Sequence, residues 1–198
     1  MAGGDLNVKH LWIQGGGGDP ALVNETAPEY PGQVGKLGSI KAAADEVPRV
    51  LQFVKRKATD TTVAAANYQV AYWSDQDVFE VVADQTLAVG GSTAPIPAGV
   101  WLGTYPAAGN YGFIQVGGSW PLRLNSGTTA DLAAGQKLFA IGGDADGKVA
   151  YGVSGTDATT LVTEVAVTRL HPVGAALAAQ TVSTETVVAL LTLPRNGW

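Results

Sequence analysis

Tyr68-Gln69-Val70-Ala71-Tyr72-Trp73-Ser74-Asp75-Gln76-Asp77-Val78-Phe79-Glu80-Val81-Val82 decides the fold class. Two runs rich in β-branched and aromatic residues flank a four-residue polar tip, Ser74-Asp75-Gln76-Asp77. That pattern predicts a β-hairpin, because β-branched and aromatic side chains suit a pleated surface while Asp, Ser and neighbouring polar residues favour the turn. Working outward, the same grammar recurs. Val50-Leu51-Gln52-Phe53-Val54 precedes the hairpin, and residues 99–105, 111–116 and 120–124 follow as short strands, the last two joined by Gly117-Gly118-Ser119 read as a tight connection. Residues 136–141, a turn at 142–147 and residues 148–153 predict a second hairpin. Residues 161–170 alternate without a clear apolar face, and residues 173–179 read as a short strand or turn. Residues 186–193 form a nearly continuous apolar run, expected of a strand buried on both faces. No alternation of strands with helical periods occurs, which argues against nucleotide-binding and barrel α/β folds. The expected fold is all-β: a small barrel or sandwich over residues 49–194, followed by a tail at 195–198.

Residues 1–48 read differently. They hold Gly15-Gly16-Gly17-Gly18, prolines at 20, 28 and 31, and Pro48, with no sustained apolar period. One extended stretch, residues 6–13, would put Leu6, Val8, His10 and Trp12 on one face. Residues 39–47 could form a helical turn or two, capped by Ser39 and ended by Pro48. This is the composition of a long extended N-terminal arm that has no interior of its own and takes shape against other subunits. Leu6, Val8, Trp12, Ile13 and Tyr30 in the arm, with Trp198 at the other terminus, are the candidate partner-binding residues, since aromatic and aliphatic anchors dominate many interfaces. On this reading, removal of residues 1–47 leaves a folded body.

A faint internal repeat accompanies the hairpins. Ala64-Ala65-Ala66-Asn67-Tyr68-Gln69-Val70 aligns with Leu132-Ala133-Ala134-Gly135-Gln136-Lys137-Leu138, placing Asn67 against Gly135, two residue types that tolerate left-handed backbone. Each copy leads into a strand, an Asp-bearing turn and a return strand, so the body could be two related β modules or one barrel whose hairpins share a common grammar.

Composition narrows function. With 12 basic and 17 acidic residues the chain carries a net charge of −5, which argues against nucleic acid as a partner. The basic cluster Lys55-Arg56-Lys57 reads as a solvated strand edge. Cysteine is absent, which removes disulfides, thiolate catalysis and Cys-ligated zinc. There are two histidines, His10 and His171, and no Gly-x-Ser-x-Gly elbow, so a serine triad has little to draw on. Asp144-Ala145-Asp146-Gly147 begins like a calcium loop but lacks its later ligands, and Asp75 and Asp77 read as turn residues. Gly15–Gly18 lacks the Lys-Ser/Thr of a phosphate loop. No secretion signal or span of roughly 20 apolar residues is visible. The expectation is a non-enzymatic protein without cofactor, metal, membrane or nucleic-acid partner, made in a cytoplasm. The charged share, 15%, is low against a typical roughly 25%, and suits equally a surface partly covered by partners and a β protein simply rich in Ala, Gly, Thr and Val.

The ordered motifs Ala98-Gly99-Val100, Tyr111-Gly112-Phe113-Ile114-Gln115-Val116-Gly117-Gly118, Leu132-Ala133-Ala134-Gly135-Gln136-Lys137-Leu138, Asp146-Gly147-Lys148-Val149, Val173-Gly174-Ala175-Ala176-Leu177-Ala178 and Val187-Val188-Ala189-Leu190-Leu191 resemble the phage head-decoration, or capsid cement, family. Residues 53–79 match its first half more loosely. The resemblance implies a small β-barrel without catalytic residues that binds the outer surface of a phage capsid and stabilises the shell. It implies the major capsid protein as partner, self-association as a homotrimer or lattice neighbours, and a place on the virion. Two other expectations compete: a tail- or fibre-associated β module, and a carbohydrate-binding barrel using Trp73, Trp101 or Trp120 as a stacking platform.

Overall fold

The computed structural model describes residues 24–28, 32–40, 49–61, 68–91, 95–102, 106–124, 132–140, 147–151, 172–180, 186–191 and 193. The described chain is almost entirely β. Its strands are β1 (Leu37–Ile40), β2 (Arg49–Arg56), β3 (Val70–Asp75), β4 (Glu80–Val82), β5 (Pro97–Trp101), β6 (Tyr111–Arg123), β7 (Lys137–Ala140), β8 (Val149–Tyr151), β9 (Pro172–Ala176) and β10 (Thr186–Leu191), with one 3₁₀ turn at Gln85–Leu87. Both expected hairpins form, as β3–β4 and β7–β8. At the first tip the Asp75 carboxylate accepts from the Asp77 amide (3.0 Å), an Asx turn that accounts for both acids without a site.

Five strands close into a barrel in the order β2-β4-β3-β5-β6, because β6 pairs back onto β2. A ring of five strands cannot alternate direction throughout. One neighbouring pair must be parallel, and here it is β2–β4, joined through Lys55↔Glu80 and Arg56↔Val81. Val54, Ala71, Trp73, Val81, Ala98, Trp101 and Ile114 fill the interior. Trp73 and Trp101 are thus core residues and offer no glycan platform, while Trp120 is partly buried beneath the Arg49 guanidinium, 5.0 Å from its ring centre.

The sheet does not end there. β6 is one strand of 13 residues rather than the expected two. Gly117-Gly118-Ser119 is not a turn but the place where β6 leaves β2 and takes up β10, with a register shift in the β2 pairing and Gly118 at φ 84°. From there the order continues β6-β10-β9-β7-β8, and a parallel bridge from Leu124 to Val149 brings β8 back to the end of β6. Five strands and one parallel contact again complete a ring.

The two rings are the same module twice, sharing β6. The N-terminal half of β6 closes the first and its C-terminal half opens the second. The pairs Lys55↔Tyr111, Phe53↔Phe113 and Leu51↔Gln115 of the first recur as Arg123↔Thr186, Pro121↔Val188 and Ser119↔Leu190 in the second. Tyr72↔Val82 and Trp73↔Val81 recur as Phe139↔Ala150 and Ala140↔Val149. Even the irregularities repeat. Ala71↔Gly99 steps to Tyr72↔Pro97, skipping Ala98, and Leu138↔Gly174 steps to Phe139↔Pro172, skipping Val173. The left-handed residues Tyr68 (φ 73°) and Phe79 (φ 54°) have Gly135 (φ 78°) and Gly147 (φ 69°) as counterparts. The Trp101 amide donates to Gln69 O (2.9 Å), as the Ala176 amide does to Gln136 O (3.0 Å). The repeat read from the sequence is therefore real in the backbone but one residue out of step: Gly135 answers to Tyr68, not Asn67, which lies outside the described residues.

The second module packs on the first through Gly147, two residues before β8. The Gly147 amide donates to the Tyr72 hydroxyl (3.1 Å) and Gly147 O accepts from the Val70 amide (2.8 Å). Val70, Tyr72, Val82 and Val100, on the outer face of the first barrel, join the core of the second, where Leu122, Leu124, Leu138, Val149, Val173, Val187 and Leu191 meet. β10 is buried on one face only, with Thr186, Val188 and Leu190 outward, so the expectation of a strand buried on both sides fails. Its continuous apolar run hides an ordinary half-buried strand.

Gly99 and Gly174 hold equivalent places against the next strand. A Cβ on Gly174 would lie 2.5 Å from Leu190 O, and one on Gly99 would lie 2.9 Å from Gln115 O and 2.7 Å from Ile114 Cδ1. Gly174→Ala and Gly99→Ala are each expected to lower stability by about 1–3 kcal/mol, the usual cost of overpacking, measured by urea unfolding. An unchanged midpoint in either variant would contradict the close approach.

Candidate functional site

The outer faces of the two modules begin from the same strand geometry and end differently. On the first barrel the outward residues Leu51, Phe53 and Phe113, with Leu102, form a small apolar cluster. Phe53 stacks on Tyr111 (5.9 Å between centres, 16°) and tilts against Phe113 (5.0 Å, 55°). This face is covered from within the chain. Residues 32–36 lie across it with Val34 packed on the cluster and Gln33 fully buried, and β1 then adds a strand to β2 through Gly38↔Leu51 and Ile40↔Arg49. The Gly35 amide donates to Phe53 O (2.7 Å), and the Phe53 amide donates to Lys36 O (3.1 Å). Phe113 is left 4% exposed.

On the second module the same places are taken by Ser119, Pro121, Leu177 and Val188, with Leu190 where Gln115 stands in the first. Nothing described covers them. Leu177 is 51% exposed, Val188 45% and Leu190 40%. Large apolar side chains clustered on the surface at this level mark a contact surface more often than a chance exposure. The strand edge beside them is nevertheless closed. Pro121 stands where Phe53 donates to Lys36 O, just before β1, and has no amide hydrogen to offer. The carbonyls of Gly117 and Ser119, in the places of Arg49 and Leu51, accept from Gln115 Nε2 at 2.9 and 3.1 Å. One buried side chain and one proline thus replace the added strand.

A second feature fixes the N-terminal segment. Arg56 is buried rather than solvated, which corrects the reading of Lys55-Arg56-Lys57 as an exposed edge. Its Nε meets Asp60 Oδ2 at 2.9 Å, Nη2 donates to Asp60 O (3.0 Å) and Nη1 donates to Pro106 O (2.8 Å). Asp60 Oδ2 also accepts from the Ala83 amide (2.7 Å). This network shapes the turn before β6, where the Arg56 amide donates to Asn110 O (2.8 Å). The turn in turn receives residues 24–25. Asn24 Oδ1 accepts from the Ala107 amide (2.9 Å) and Asn110 Nδ2 (2.8 Å), and Glu25 exchanges both backbone bonds with Tyr111. Residues 24–25 and 32–40 therefore rest on their own barrel, contrary to the expectation that residues 1–48 take shape only against other subunits. Ser39 lies in a strand rather than capping a helix.

Of the candidate partner-binding residues, Leu6, Val8, Trp12, Ile13, Tyr30 and Trp198 all lie outside the described residues, as do His10, His171, Asp144 and Asp146. The apolar face at Leu177, Val188 and Leu190 was missed in sequence, though an alternating burial of residues 186–191 would have shown half of it.

Two outcomes follow. Asp60→Ala strands a buried guanidinium and is expected to cost about 3–5 kcal/mol, whereas Glu80→Ala removes a partly buried acceptor of the Ser74 hydroxyl (2.7 Å) whose ion-pair partner Lys57 (3.8 Å) keeps a third of its side chain in water, and is expected to cost less, about 1–2 kcal/mol. Chemical unfolding of both reads this, and similar losses would contradict it. Deletion of residues 1–23 is expected to leave the melting temperature unchanged. Deletion of residues 1–47 uncovers Phe53 and Phe113 and is expected to lower it by roughly 4–8 °C, the equivalent of about 2 kcal/mol. Equal melting of the two truncations, followed by circular dichroism, would show that residues 32–40 cover nothing of consequence.

No family model and no curated protein matches the chain. Among solved structures it is similar to the N base of head fiber gp8.5 of bacteriophage phi29, with 14% sequence identity over 73% of this chain and 94% of that one, at a TM-score of 0.40. An overlay that loose does not pass a role from one chain to the other.

Proposed function

We propose that this chain is a structural protein of a phage particle, one that binds the outer surface of the capsid and stabilises the shell as a decoration or cement protein. The observation that carries the reading is the unequal treatment of two equivalent faces. One is sealed by the chain's own N-terminal segment, and the other presents Leu177, Val188 and Leu190 to its surroundings. A protein built to sit among neighbours can leave such a face apolar, because its surroundings complete it. The ordered motifs from Ala98 to Leu191 add to this, since they fall on β5, β6, β7, β9 and β10 and on the turns before β7 and β8. In this reading the partners are the major capsid protein and further copies of the chain, and the role is mechanical rather than catalytic. Repetition on a lattice multiplies weak contacts into firm attachment.

The test is to image particles of the phage that encodes the chain, with and without it. The chain is expected on the outer face of the shell in many copies, and particles lacking it are expected to release their genome at a lower temperature. Density for the chain at the tail or on a fibre, or its absence from purified particles, would overturn the shell assignment.

A further inference from the structure

We propose that the exposed face of the second module, formed by Pro121, Leu177, Val188 and Leu190, is the docking site for residues 6–13 of a neighbouring copy of the chain. This deepens the assembly role above and rests on it. Three observations carry it.

The first is equivalence. Phe53, Leu102 and Phe113 occupy these places in the first module, and there a stretch of N-terminal chain lies over them, leaving Phe113 almost without exposure. The same backbone surface, repeated in the second module, retains apolar side chains but has no described cover. A face of this shape has one known solution within this molecule, and that solution is an extended N-terminal segment.

The second is pattern. Residues 6–13, read as an extended strand, place Leu6, Val8, His10 and Trp12 on one side at about 6.6 Å intervals. Val188 and Leu190 alternate outward on β10 with the same period. Pro121 and the Gln115 side chain close the adjoining edge of β6 to strand addition. The occupant therefore lies across the face and is held by its side chains, which is where an alternating apolar stripe is useful.

The third is reach. Asn24 is fixed at the start of β6 by Ala107 and Asn110. Pro121 lies ten residues along that strand from Tyr111, up to about 33 Å away. The chain between Ile13 and Asn24 spans at most about 40 Å when fully drawn out, and with its tetraglycine it averages only about 18 Å. Docking on its own second module would hold the connector near its limit. Docking on a neighbour imposes no such stretch.

The experiment uses the full-length chain, prepared once with ¹⁵N and once with natural isotopes, each carrying a photo-crosslinking benzoylphenylalanine at Leu177. The two are mixed, irradiated and analysed by mass spectrometry. Crosslinked peptides that join a heavy chain to a light one, with the partner within residues 6–13, are expected. Crosslinks confined to one chain, or with partners elsewhere in the sequence, overturn the proposal. Val188→Asp with Leu190→Asp is expected to weaken self-association at least about tenfold in sedimentation while the melting temperature holds. Should that pair disturb folding, Leu6→Asp with Trp12→Asp reads the same contact from the other side and is expected to give the same loss; undiminished association there overturns the proposal. A chain found on the capsid that fails these tests loses the docking site but keeps its shell role. A chain that passes them yet is absent from particles keeps the docking site and loses the shell role.

Discussion

One strand carries the whole arrangement. β6 pairs with β2 and β5 along its first half and with β10 along its second, so the closed barrel and the second module depend on a single continuous backbone. Continuity requires a bend at Gly117-Gly118-Ser119, and among the described residues no added strand meets the carbonyls there, as β1 does at the equivalent edge of β2. Gln115 supplies what is missing, donating to both Gly117 O and Ser119 O from a fully buried position. Each such bond contributes roughly 1 kcal/mol net, but an unmet buried carbonyl costs more than that. The side chain is therefore better understood as preventing a loss than as adding a gain.

Duplication then explains most of what surrounds that strand. Each ring needs one parallel contact, and each obtains it between its first and third strands. Each carries the same skipped residue between its second and fourth strands, and a glycine beside it where the backbone of the fifth strand passes close. What the repeats do not share is the treatment of their outer faces. The first is finished in cis by residues 32–40. The second replaces the added strand with a proline and an amide side chain and leaves its apolar residues outward. The asymmetry leaves one outer face covered by the chain itself and its counterpart exposed at Leu177, Val188 and Leu190.

Local chemistry made the hairpins legible in the sequence. An Asp-rich tip between two β-branched runs has few other ways to fold, and the Asx bond at Asp75 is what that composition prefers. Non-local features were opaque for equally physical reasons. Gly117-Gly118-Ser119 has the composition of a turn, and only the two partners of β6 make it a bend. Arg56 looked solvated because its acid, Asp60, lies one strand-end away and its other acceptors come from backbone at Pro106. The duplication left little trace in side chains, since Phe53 answers to Pro121 and Arg56 to Leu124. It survives where the backbone is demanding: Pro97 and Pro172, Gly99 and Gly174, Gln69 and Gln136. The repeat visible between residues 64–70 and 132–138 was the edge of this pattern. The anchors expected at Leu6, Val8, Trp12, Ile13, Tyr30 and Trp198 lie outside the described residues, and the exposed face at Leu177, Val188 and Leu190 was illegible because the continuous apolar run of β10 hid its alternation.

Residue-resolved amide hydrogen exchange tests the shared strand most directly. If β6 holds both modules in one cooperative unit, the slowest amides of β3 and β5 and those of β9 and β10 open with the same free energy, equal to that of global unfolding. Protection in β9 and β10 lost at a distinctly lower free energy, while β3 and β5 stay closed, would show two independent domains and contradict the account.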